Sequence, residues 1–107
     1  MSDQQSELGR FAEPSLSILV SLSEGPKHGY AIMTDIARVS GSPMGPGTLY
    51  GALARLESRG LVEALDPVER RRPYRLTALG ATTLEDQLRH LRSFIDTGLA
   101  RLRGRAT

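Results

Sequence analysis

The segment from Pro46 to Gly60, followed at once by a basic hairpin pattern, constrains this chain more than any other. Pro46 suits a first helical turn, where its missing N–H costs nothing. Leu49, Leu53 and Leu56 recur at helical spacing and give one apolar face, and Gly60 is a helix stop. Leu61 to Leu65 then reads as a strand, 66–73 as a loop rich in arginine, and Tyr74 to Leu76 as the returning strand. A short amphipathic helix feeding an Arg-tipped hairpin predicts a winged helix-turn-helix. In that arrangement a helix enters the major groove of DNA and a wing lies beside it.

The rest of the chain supplies the missing parts. Pro14 opens a helix carrying Leu16, Leu19, Val20 and Leu22, stopped by Gly25 and Pro26. A second helix is expected from about His28 to Val39, with Ile32, Ile36 and Val39 as its inward stripe and Met33 beside them. The 40–45 segment, rich in Gly, Ser and Pro, is a turn into the third helix. Thr77 is a candidate N-cap for a last helix from about Ala78 to Arg103. Its residues Leu84, Leu88, Leu91, Ile95, Leu99 and Leu102 form a seam too long for one small core to cover, with Leu79 ahead of them. That predicts a homodimer joined through this helix. The expected class is mainly α with a small β-hairpin, or α+β. A polar arm occupies residues 1–12, the winged helix-turn-helix 13–77, and a dimerisation helix with a basic tail 78–107.

Composition narrows the function. At 107 residues the chain is sized for one domain. Hydrophobic residues make up only 39%, which suits a small core completed by a partner subunit. The sequence pI near 9.5 is basic, and nine of the fourteen basic residues lie from Arg70 onward. Such asymmetry points to a polyanionic partner. Absence of cysteine removes disulfides and thiol chemistry. A polar N-terminus and the lack of a long apolar run predict a cytoplasmic chain that makes no use of a membrane.

Several motifs together resemble the PadR family of bacterial transcriptional regulators. They are His28-Gly29-Tyr30, Pro46-Gly47-Thr48-Leu49-Tyr50, the run Leu53 to Val62, and Arg72-Pro73-Tyr74-Arg75-Leu76-Thr77-Ala78-Leu79-Gly80. The resemblance spans residues 15 to about 92 and implies the short subfamily, which dimerises through one C-terminal helix. It also implies DNA-side positions for Thr48 and Tyr50. Some short members hold flat aromatic ligands with a tryptophan, and this chain has none.

The candidate DNA contacts follow from side-chain chemistry. Thr48, Gly51, Ala52 and Arg55 are expected on or near the face opposite the leucines of the third helix, with Tyr50 at its edge; small residues let the backbone approach the groove, arginine can read guanine and threonine can meet thymine or phosphate. Lys27, His28 and Tyr30 sit where the second helix begins, a natural phosphate seat. Arg70, Arg71 and Arg72 occupy the expected wing tip. Asp35 and Glu57 are expected to face solvent, and no metal-ligand set, cofactor loop or nucleophile–base pair is present. The partners expected are therefore double-stranded DNA and a second copy, with no cofactor and no catalysis. A small-molecule effector would have no dedicated polar site. The competing expectation is a winged-helix protein–protein module that does not read DNA.

Overall fold

The structure is a computed structural model that describes residues 14–105. The arm expected at 1–12 lies outside the described residues. Helix α1 spans Pro14–Leu22, strand β1 Lys27–His28, helix α2 Gly29–Ser40 and helix α3 Pro46–Ser58. Strands β2, Val62–Ala64, and β3, Pro73–Leu76, follow, and helix α4, Ala78–Arg105, ends the described chain.

The core sits where α1 packs across α2 and α3 and all three meet the sheet. Ile18, Leu22, Ile32, Leu49, Leu53 and Val62 are fully buried there. Fully burying a branched aliphatic side chain contributes about 1.5–3 kcal/mol, so this handful of residues carries much of the stability of so small a unit. Leu49, Leu53 and Leu56 form the expected buried face of α3. Val39 departs from the expected stripe: in the last turn of α2 it sits at the rim of an open cleft with Leu16 and Val20 and is 62% exposed. Asp35 takes an inward place instead, at 8% exposure, so its expected solvent-facing position is corrected.

The sheet is one strand larger than the hairpin that the sequence suggests. Its order is β1-β3-β2, with Lys27 opposite Tyr74 and His28 opposite Pro73. A two-residue strand has no periodicity of its own to read. Its consequence is functional geometry, because it ties the start of α2 to the strand that carries the wing.

The ends of the elements follow local chemistry. Gly60, at φ +77°, closes α3 through a Schellman motif: its N–H donates to Glu57 O and that of Leu61 to Leu56 O. Thr77 then locks α4 onto this corner. Its Oγ1 accepts from Gly80 N–H at 2.9 Å and donates to Gly60 O at 2.6 Å, while its own N–H donates to Leu61 O. Gly80 makes that approach feasible, since a Cβ there would fall 2.0 Å from Leu61 O.

Beyond its first turns α4 leaves the body. Its 28 residues reach about 42 Å at the usual helical rise. Leu84, expected in the dimer seam, is only 5% exposed and belongs to the core of its own subunit, because α1 covers the near end of the helix. Leu79 is exposed on the opposite side. Leu88, Ile95, Leu99 and Leu102 remain uncovered and Leu91 is half-buried.

Candidate nucleic-acid interface

The N-terminal turn of α2 and the wing meet at His28. The imidazole caps α2, its Nδ1 accepting from Ala31 N–H at 3.4 Å. A neutral ring that accepts at Nδ1 carries its proton on Nε2. Nε2 lies 3.4 Å from Arg71 Nη1, within hydrogen-bond reach. Only the β1–β3 pairing brings these residues together, 43 positions apart in the chain.

Around this pair lies an open cleft of about 390 Å³ lined by Tyr30, Tyr50, Tyr74, Arg70 and Arg72 as well as His28 and Arg71. Among the described residues no carboxylate lines it. Tyr30 is 69% exposed, and Tyr50 rests its hydroxyl end against Gly29, where a Cβ would come within 2.1 Å of it. The tyrosine of α3 thus reaches the first turn of α2 only because residue 29 has no side chain. Burial, followed by the charge of Glu57, holds the Tyr74 hydroxyl above its ordinary pKa, so it remains a neutral donor.

The wing tip is a tight turn. Val68 and Arg71 exchange backbone hydrogen bonds, and Glu69 and Arg70 between them take φ of 52° and 69°. Two consecutive non-glycine residues in the left-handed region cost about 1–2 kcal/mol each. The turn lifts Arg70 and Arg71 clear of the sheet as exposed side chains, while Arg72 returns one N–H to Leu65 O at 3.2 Å.

Thr48 and Arg55 are exposed on α3, whereas Ala52, expected near the same face, is fully buried in the core. Gly45 caps that helix without a side-chain bond, so its first N–H groups are open to an outside acceptor. Thr48 also lines a separate cleft with Pro43, Met44 and Gly45.

Lys27 is the departure among the expected phosphate contacts. Its ammonium turns inward, bonding Ser21 O, pairing with Glu24 at 2.9 Å and lying 3.6 Å from Asp35. Its side chain is 15% exposed. It joins α1, β1 and α2 from behind, and is corrected from a DNA-side residue to an internal cation. Asp35 is held below the ordinary carboxylate range, by Ser21 foremost and then by the 2.9 Å bond from Arg38. Ser21 Oγ is buried with no partner at hydrogen-bond distance among the described residues, so its influence is a longer polar contact. Neither the inward lysine nor the buried aspartate is visible in the sequence, because each needs the other to be tolerated inside.

Fold and site together define a winged helix-turn-helix protein with a basic cleft beside its third helix. Residues 18–86 match the model of the transcriptional regulator PadR-like family, and the chain belongs to that family of DNA-binding regulators. Among solved structures it is similar to a PadR family transcriptional regulator from Eggerthella lenta at 30% identity and TM-score 0.75, covering 94% of this chain and 89% of that one. A transcriptional regulator from Clostridium thermocellum is similar at 28% identity and TM-score 0.73, covering 86% and 91%. The chain is also 44% identical over 96 residues to an uncharacterized 37.1 kDa protein in transposon TN4556 of Streptomyces fradiae. That match covers 90% of this chain but 26% of the relative, so the chain spans about a quarter of the relative's length. Among the described residues no helix is long and apolar enough to cross a membrane.

Proposed function

We propose that this protein is a homodimeric, sequence-specific repressor that acts in the cytoplasm by occupying a pseudo-palindromic operator. Residues 13–77 form the DNA-binding unit and 78–107 the dimerisation segment. Thr48, Tyr50 and Arg55 face bases from α3, while His28, Tyr30 and Arg70 to Arg72 hold the flanking phosphates. The observation that carries this reading is the cleft where His28, three wing arginines and three tyrosines gather with no carboxylate among the described residues that line it. A protein–protein module has no need of such a surface. The uncovered leucines of α4 support the dimer, since a monomer would leave them in water.

Fluorescence anisotropy with duplex DNA over a salt series tests it. A dimer that neutralises about six to eight phosphates gives a log–log slope of about −5 to −7. Replacing Arg70, Arg71 and Arg72 together by Ala flattens that slope and weakens all sequences alike. An unchanged slope removes the wing from the interface. A dimer that binds no DNA at low salt favours the protein–protein module.

A further inference from the structure

The His28 ring is claimed from two sides. Ala31 N–H, in the first turn of α2, lies 3.4 Å from Nδ1, and Arg71 Nη1, on the wing, lies 3.4 Å from Nε2. A backbone N–H and a guanidinium can only donate, and a neutral imidazole offers one acceptor nitrogen. The two bonds therefore exclude one another. With the proton on Nε2, the ring caps α2 and has nothing for Arg71. With the proton on Nδ1, the ring accepts from Arg71 and the cap is open. Each distance is at the long end for an N–H donor, as fits a ring shared between two claims.

We propose that His28 is a tautomeric switch that couples the wing to the first turn of α2, thrown when a DNA phosphate takes the Arg71 guanidinium. This rests on the DNA-binding reading above and adds how two of its contact regions act on each other. In the free protein the ring is shared between Ala31 and Arg71. A phosphate oxygen carries charge and the imidazole nitrogen does not, so the guanidinium goes to the phosphate when DNA arrives. Nothing then competes for the ring. The proton on Nδ1 leaves to water, Nε2 takes one from water, and Nδ1 is left wholly to Ala31. No net proton is taken up. The cap that closes belongs to the helix turn assigned to a neighbouring phosphate, so engagement of the wing firms the second contact.

The surroundings leave the ring to these two claims. Among the described residues it is the one acceptor within hydrogen-bond distance of the Arg71 side chain. Its other neighbours in the cleft are Arg70, Arg72, Tyr30, Tyr50 and Tyr74. Arg72 donates to Leu65 O, and Tyr50 rests against Gly29. Lys27, next in sequence, is turned inward to Ser21 O, Glu24 and Asp35. The register fixes the meeting: β1 sets His28 opposite Pro73, and the Val68–Arg71 bridge closes the wing tip just ahead of it.

The chain has two histidines, His28 and His90, so the ring can be followed by two-bond proton–nitrogen NMR of the isotope-labelled full chain, with His90→Gln assigning the signals. Spectra are taken at about pH 8, where histidine side chains are neutral, free and with a duplex of random sequence at low salt. The switch predicts that the Nδ1–H tautomer is populated in the free wild type and lost on DNA. It predicts the pure Nε2–H form in free Arg71→Ala, unchanged by DNA. Hydrogen exchange gives an independent reading: Ala31 N–H should exchange about 2- to 5-fold more slowly in free Arg71→Ala than in free wild type, because its cap is no longer shared. In His28→Asn, whose side-chain oxygen caps with no tautomer to choose, adding Arg71→Ala should change nothing at Ala31. A free wild type already in the pure Nε2–H form overturns the switch, as does an Arg71→Ala variant that keeps the wild-type mixture. Exchange at Ala31 that Arg71→Ala leaves alone or speeds up overturns it too. A folded wild type that does not bind the duplex overturns the DNA reading itself, a separate failure, while the free-state comparison still decides whether Arg71 shares the ring.

Discussion

Gly80→Ala sets two physical effects against each other. Helix propensity alone favours the change: alanine is better than glycine by about 0.8–1 kcal/mol in a helix interior. The structure argues the other way. A Cβ at residue 80 would lie 2.0 Å from Leu61 O, 3.0 Å from Leu61 C and 2.9 Å from Leu76 Cδ1. The two closest constraints include backbone, which cannot swing aside as a flexible side-chain end can. To restore ordinary contact the first turn of α4 must retreat by more than about 1 Å, a typical overpacking cost of about 1–3 kcal/mol. That retreat also pulls Gly80 N–H from Thr77 Oγ1, a cap whose loss costs about 1 kcal/mol. After subtracting the propensity gain, the net loss is about 1–3 kcal/mol. For a domain of this size each kcal/mol moves Tm by about 4–8 °C, so the variant should melt roughly 5–20 °C lower. Thermal unfolding followed by circular dichroism, at one fixed protein concentration because a dimer's Tm depends on it, reads this directly. An unchanged or raised Tm would refute the close packing of α4 on the α3–β2 corner.

Gly29→Ala should leave the fold intact, because the obstructed atom is the free end of Tyr50, but displace that tyrosine from the cleft; DNA affinity measured by anisotropy should drop while Tm holds, and unchanged affinity would remove the Gly29–Tyr50 contact from the site. Asp35 has a folded-state pKa below its ordinary 3.8, so its stabilising effect is complete above that value and is lost as pH falls through the lower folded-state value. Asp35→Asn should therefore be less stable at neutral pH and show a shallower decline in acid, read by urea unfolding at stepped pH; parallel acid limbs would contradict it. Arg55→Ala should relax base preference at one position in each half-site, at about 1–3 kcal/mol per lost bidentate contact, whereas a uniform loss across sequences would make Arg55 a phosphate clamp.

What could be read from sequence was what repeats locally. The leucine face of α3, the Gly60 stop, the Thr77 cap and the long helix α4 each come from spacing or capping chemistry, and all lie where they were expected. What escaped depends on contacts distant in the chain. Strand β1 exists only through its pairing with β3, and with it comes the meeting of His28 and Arg71. Lys27 looks like any helix-start cation until Asp35 is found buried beside it. Leu84 looks like one more rung of the seam until α1 is seen to cover it. Phe94 lies off the leucine repeat and stands 75% exposed. The candidate contacts on α3 were readable as the face opposite its leucines, whereas the basic cleft needed the whole sheet.

Selection of bound duplexes from a random DNA pool, followed by sequencing, tests the central claim most directly. A symmetric dimer that places α3 and its copy in successive major grooves predicts an enriched pseudo-palindrome with half-sites about 34 Å apart, roughly one helical turn. Recovery of no symmetric motif from a purified, folded dimer would contradict it.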